Sequence, residues 1–259
     1  MKSETETMKK FFLAVAGLAA FGAATSAVAA DLPARTYTKA PPMIAAIYDW
    51  SGFYIGANGG GASSRNCWDI NNSFGAVVAP AVREGCHDAT GAVAGGQIGY
   101  RWQSASWVFG VEAQGDWANL KGSNTSQFFL PPAPLNQSKI GALGLFTGQV
   151  GYAWSNVLWY LKGGAAATDT NYKGFIGGVL VDQASETRWG GAVGTGLEVG
   201  FAPNWSVGVE YDHLFMGNRN ITFTAPAGGA TRTDNIHQDV DMGSVRVNYR
   251  WGGPVVGKY

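Results

Sequence analysis

Apolar and polar residues alternate along Val245–Trp251 near the C-terminus. In an extended chain Val245, Val247, Tyr249 and Trp251 share one face, and Arg246, Asn248 and Arg250 share the other. A period of two predicts a strand with one apolar side. The pattern recurs upstream, giving eight predicted strands near Trp50–Ala62, Gly91–Trp102, Trp107–Leu120, Ile140–Tyr152, Val157–Thr168, Trp189–Phe201, Trp205–Leu214 and Val240–Trp251. Each reaches the ~9–11 residues that cross a bilayer at a tilt. Their connections alternate in length. Gln103–Ser106, Ala153–Asn156 and Ala202–Asn204 are short, whereas 63–90, 121–139, 169–188 and 215–239 are long and rich in Gly, Asn, Thr, Ser or Pro. An even strand count with alternating connections predicts an all-β fold, a transmembrane up-and-down antiparallel β-barrel. It would have eight strands, four long external loops and short periplasmic turns, with both chain ends on the periplasmic side.

Which face is apolar separates this reading from a soluble eight-stranded barrel, which is apolar inside. In the third strand Trp107, Phe109, Val111, Ala113 and Trp117 oppose Glu112, Gln114 and Asp116; in the seventh Trp205, Val207, Val209 and Tyr211 oppose Ser206, Glu210 and Asp212. Aromatics gather at the periplasmic strand ends: Trp50, Trp102, Trp107, Tyr152, Trp159, Trp205, Tyr249 and Trp251. They form the girdle expected where lipid meets water. Charged residues make up 14% of the chain, too few for a soluble exterior on this many strands, and 38 glycines punctuate the pattern.

The first thirty residues read as an address. Lys9 and Lys10 precede an apolar run from Phe11 to Ala24, and Ala27-Val28-Ala29 supplies a small-x-small site, so 1–30 is a predicted signal peptide cleaved after Ala29 or Ala30. The run is short for a spanning helix. Residues 31–49, with Pro33, Pro41 and Pro42, read as a Pro-rich periplasmic lead-in, 50–251 as the outer-membrane barrel, and 252–259 as a C-terminal tail. The formal net charge is zero, which points to no nucleic-acid partner.

The polar face supplies the candidate chemistry. Glu112, Lys162, Glu198, Glu210 and Arg246 sit four to six residues above the periplasmic rim. At ~3.3 Å per residue and a tilt near 40° that is around mid-membrane. Such side chains either line a water-filled passage or pair; the cost of an unpaired buried charge favours a pairing layer across a lumen that eight strands leave just wide enough for side chains. Arg101 and Arg250 fall lower, Asp116 and Asp212 higher. Cys67 and Cys86 share the first long connection, and in an exported chain two such cysteines predict a disulfide. Their spacing matches no metal motif, and no cofactor is expected. His87, His213 and His237 form no legible nucleophile–base set, and Asp212 and His213, as strand neighbours, face opposite ways. No enzyme activity is expected.

In order, the leader ending AVAADLPA, WSGFYIGANGG, QIGYRW, GQVGYAW, GLEVGF, WSVGVEYDHL and VRVNYRW resemble the small outer-membrane immunogenic or porin-like eight-stranded barrels of Gram-negative bacteria, related to opacity-type and transmembrane-A-like barrels. The resemblance covers the mature chain. It implies an outer-membrane location, outer-membrane lipids and lipopolysaccharide as surroundings, and handling by the barrel-assembly machinery through Trp251 or Tyr259. It implies no catalytic residue. Two roles stand open: a structural and surface-interaction protein whose loops meet extracellular ligands, with Phe128, Phe129, Tyr172 and Phe175 displayed, or a porin-like channel for small solutes, as a monomer or an oligomer.

Overall fold

The computed structural model describes residues 48–251. The predicted signal peptide, most of the lead-in and the tail 252–259 lie outside the described residues. Eight antiparallel strands follow one another around a closed barrel: β1 (Gly52–Ser73), β2 (Ala76–Ser104), β3 (Trp107–Thr125), β4 (Leu135–Trp154), β5 (Val157–Ile176), β6 (Val179–Ala202), β7 (Trp205–Thr224) and β8 (Ala230–Trp251). Closure is made by β8 on β1, with Phe53 opposite Trp251 and Asn58 opposite Arg246. Every strand therefore has two partners within the apolar band, where no edge is left with unpaired backbone groups; farther out, β2 is unpaired with β3 over 76–89, and β6 is unpaired with β7 over 184–190.

The alternation read from the sequence is the alternation of faces. Val245, Val247 and Trp251 are outside while Arg246, Asn248 and Arg250 are buried inside. Exterior apolar side chains form one band around the barrel. Trp102, Trp107, Tyr152, Trp159, Trp205, Tyr249 and Trp251 lie along its short-turn edge, joined by Phe53, Trp154 and Phe201. Several touch across strands, such as Trp107 on Tyr152 and Trp205 on Tyr249, with ring centroids 5.6 and 5.1 Å apart. Trp117, Trp189 and Phe215 mark the opposite edge. Beyond them the exterior turns polar at Arg65, Asp88, Lys121, Lys139, Asp169 and Asp239. About eleven residues per strand lie within the band, which at ~3.3 Å rise and this tilt matches the ~25 Å apolar belt of such barrels.

Trp50 departs from the expected girdle. It precedes β1 and is 1% exposed, turned into the lumen with Tyr48, Val108, Ala153, Leu158 and Tyr160. Its backbone nitrogen donates to Gln103 Oε1 at 2.8 Å, which holds Trp50 at the short-turn opening.

The long external loops are the larger correction. Stretch 63–90 is almost all strand: β1 and β2 stay paired until a two-residue turn at Phe74-Gly75, both with positive φ. Stretch 169–188 narrows likewise to Gly177-Gly178, with φ of 57° and 82°. This left-handed pair is the hairpin turn whose twist matches its strands. Of the four long stretches, only 126–134 and 225–229 remain as longer segments outside the strands. The strands, 19 to 29 residues long, thus continue the barrel well beyond the apolar band. Cys67 and Cys86 face each other across this extension and are joined by a disulfide. Tyr172, expected on display, is fully buried within it.

Candidate functional site

The interior is a stack of side-chain layers, counted upward from the short turns. Next above Trp50, Arg101 Nη2 pairs with Glu198 Oε2 at 2.9 Å. The Arg101 guanidinium lies over the Tyr54 ring at 4.5 Å. Glu198 also accepts from Asn248 (2.9 Å) and Ser206.

The next layer holds four of the five predicted charges. Arg246, from β8, reaches Glu112 on β3 through Nη2 and Glu210 on β7 through Nη1, tying opposite walls of the barrel. Lys162, from β5, donates to Glu210 at 2.7 Å and lies 3.6 Å from Glu112 and 3.1 Å from Asp212. Glu198 is the fifth, and it sits one layer down with Arg101 instead. Asp212, placed higher from the sequence, joins through Lys162. All of these groups are buried, so each charge has given up water for a partner of opposite sign.

Two tyrosines complete the layer in matching fashion. Tyr54 Oη donates to Glu112 at 2.7 Å, and Tyr160 Oη donates to Glu210. Tyr54 is laid flat by Gly99, directly opposite on β2, and Tyr160 by Gly196 on β6. A Cβ at Gly99 would lie 2.5 Å from the Tyr54 ring carbon that carries the hydroxyl. Gly99→Val is therefore expected to push Tyr54 off Glu112 and cost about 1–3 kcal/mol, read by urea unfolding in lipid vesicles; an unchanged midpoint would count against this packing. Sequence reading missed these tyrosines. The signal was a Trp-x-x-Gly-Val-Glu segment in both β3 (Trp107–Glu112) and β7 (Trp205–Glu210), which sets two glutamates at equal height across the barrel.

Above the charges comes a layer of a different kind. Val93, Leu120, Ile140, Leu143, Leu145, Leu214, Met216, Val240 and Met242 form a buried apolar cluster inside the lumen. A face expected to be polar is apolar here, level with the upper edge of the exterior band and just beyond it. Higher still, His87 bonds Ser138 Oγ (3.0 Å) and Asn124 Oδ1 (2.7 Å). The order Ser–His–Asn invites a catalytic reading, but Ser138 is fully buried, and the set reads as a brace between β2, β3 and β4. Burial holds the His87 imidazole below its usual pKa.

The top layer packs Trp68, Tyr172, Ile221, Phe223 and Ile236. Arg232 lies over the Phe223 and Trp68 rings at 4.5 and 5.5 Å. Its guanidinium meets Glu84 at 2.7 Å, Asp182 at 3.0 Å and Asp234 at 3.4 Å. No group of three or more His, Cys, Asp or Glu side chains suited to a metal ion occurs among the described residues.

A closed eight-strand ring with a lipid-facing band and a charged interior agrees with what family comparison finds. The outer membrane protein β-barrel domain model matches residues 13–251. The chain belongs to this family. It is 27% identical over 238 residues to a 25 kDa outer-membrane immunogenic protein of Brucella abortus, covering 92% of this chain and 97% of the relative. To a 31 kDa outer-membrane immunogenic protein of Brucella melitensis it is 28% identical over 205 residues, 76% of this chain and 84% of the relative. Among solved structures, the outer membrane protease OmpT from Escherichia coli has a TM-score of 0.52 at 8% identity, covering 77% of this chain and 97% of that one. OprG from Pseudomonas aeruginosa has a TM-score of 0.50 at 13% identity, covering 78% and 97%. At such identities the likeness is one of fold alone. Family membership places the chain in the outer membrane, with its short turns periplasmic and its long hairpins external.

Proposed function

We propose that this family member is an integral outer-membrane barrel closed to diffusion, whose work is structural and whose external hairpins form an interaction surface. The observation that carries the reading is Arg246, which spans the lumen between Glu112 and Glu210 with an apolar layer above it. A solute crossing the barrel would have to break buried ion pairs and then pass a layer offering water no hydrogen bonds. The sequence names of the relatives, outer-membrane immunogenic proteins, suit a surface-presented barrel and no catalytic role. The surroundings follow from this reading: membrane lipid on the apolar band, lipopolysaccharide against the polar ring above it, and the barrel-assembly machinery during insertion. Soluble extracellular ligands would meet the hairpin ends.

Liposome swelling with sugars of graded size tests closure. Vesicles holding the purified full chain are expected to swell no faster than protein-free vesicles, even with the smallest sugar. Swelling that falls off with sugar size would replace this reading with that of a channel.

A further inference from the structure

At the outer end of the extension lies a cavity of about 350 Å³, the lower end of the range for small-molecule sites. Phe74 from the β1–β2 turn, Phe129 and Leu130 from 126–134, and Val181 from β6 supply apolar wall; Asp182 and Arg232 supply the polar part. Phe74 and Leu130 are 78% and 88% exposed, so large apolar side chains stand in water around a charged floor.

The chemistry of that floor selects the ligand. Arg232 has committed its donors: Nε to Asp182, Nη1 to Glu84, and Nη2 to Asn136 Oδ1 at 2.9 Å. The Phe223 and Trp68 rings lie against its guanidinium as well. Held by three carboxylates, it has little left to offer an anion. The surplus lies with the acids, since Glu84, Asp182 and Asp234 share this one cation. Glu84 Oε1 and both Asp234 carboxylate oxygens are buried and accept no hydrogen bond. A buried acceptor left without a donor is costly, and so is a local excess of one charge.

We propose that this cavity binds a small hydrophobic cation, with its apolar body between Phe74, Phe129 and Leu130 and its ammonium group at Asp182. This deepens the reading of the external hairpins as an interaction surface and rests on it. A neutral apolar molecule would cover the walls and leave the acid excess uncompensated; an anion would add to it. Asp234 gives the site a pH signature. It lies above the apolar band, where burial pushes its carboxyl up to about 7, with Glu84, Asp182 and Asp69 adding to the rise and Arg232 opposing it. A bound cation favours the ionised carboxylate, so affinity should increase as pH rises through about 7.

Tryptamine, tryptophol and indole-3-acetate carry one ring system with positive, zero and negative charge. Their binding to the full chain in zwitterionic nanodiscs can be measured by ligand-observed NMR against empty nanodiscs. Tryptamine is expected to bind about fivefold tighter than tryptophol, with indole-3-acetate weakest. The preference for tryptamine should be larger at pH 8 than at pH 6 and should be lost in Asp182→Asn. Leu130→Ser, an exposed wall change, should weaken all three while keeping their order, and serves if Asp182→Asn does not fold. No binding, equal binding of the three probes, or a preference that survives Asp182→Asn would overturn the proposal. Liposome swelling is read separately, so loss of this site and loss of the closed-barrel reading are distinguishable.

Discussion

Replacing Arg246 with methionine is expected to lower the unfolding free energy by about 3–5 kcal/mol, measured by urea titration of the barrel in lipid vesicles. The guanidinium is 1% exposed and holds carboxylates from opposite walls. Without it, Lys162 alone faces Glu112, Glu210 and Asp212. The loss comes from the stranded carboxylates more than from the vanished contacts, because a buried ion pair gains little over its own desolvation. Arg246→Lys should fall between the two, since one ammonium cannot match a planar fork that serves both walls at once. Arg246→Met combined with Glu112→Gln and Glu210→Gln should recover much of the loss. A single Arg246→Met variant as stable as the parent would show that the layer is not held by charge.

Trp68→Ala is expected to cost about 3–5 kcal/mol, with the damage confined to the barrel extension. Trp68 is fully buried and meets Tyr172 edge-on at 5.5 Å, Phe223 at 5.3 Å and the Arg232 guanidinium. Its removal takes away the apolar body around which the outer ends of β1, β5, β7 and β8 pack. External protease should leave the parent hairpins intact and cut the variant in 63–90 or 169–188, while the membrane-embedded part stays whole. Hairpins cleaved equally in both proteins would mean that the extension is not a packed structure.

That extension is also where the sequence was least legible. Within the membrane one side of each strand must be apolar, so Val245, Val247, Tyr249 and Trp251 announce their strand at once. Beyond the apolar band the outside of the barrel meets water, and the inside mixes Arg232 and Asp234 with Ile236 and Val240. Both faces are then mixed, the period-two signal vanishes, and paired strand reads as loop. The surviving clues were local: Phe74-Gly75 followed by Ala76-Val77-Val78, and Gly177-Gly178 between Ile176 and Val179, each a hairpin turn in its own right. Trp50 misled for the opposite reason. It shares the composition of the girdle and lies next to the first strand, but it precedes the ladder, so the alternation of faces does not govern where it points.

The charged layer was more legible than its wiring. Counting residues up from the turns placed Glu112, Lys162, Glu210 and Arg246 at one height because rise and tilt are nearly constant along a strand. Glu198 landed one layer low because the β6–β7 register sets it opposite Gly208, two positions below Glu210, where Arg101 meets it. The apolar layer above the charges was hidden in plain view: Leu143 and Leu145 on β4, Leu214 and Met216 on β7, and Val240 and Met242 on β8 occupy the face taken to be polar.

Single-channel recording of the purified full chain in planar bilayers tests the closed lumen most directly. The layered interior predicts a flat baseline with no steady opening. A large, steady conductance from the unaltered monomer would contradict it.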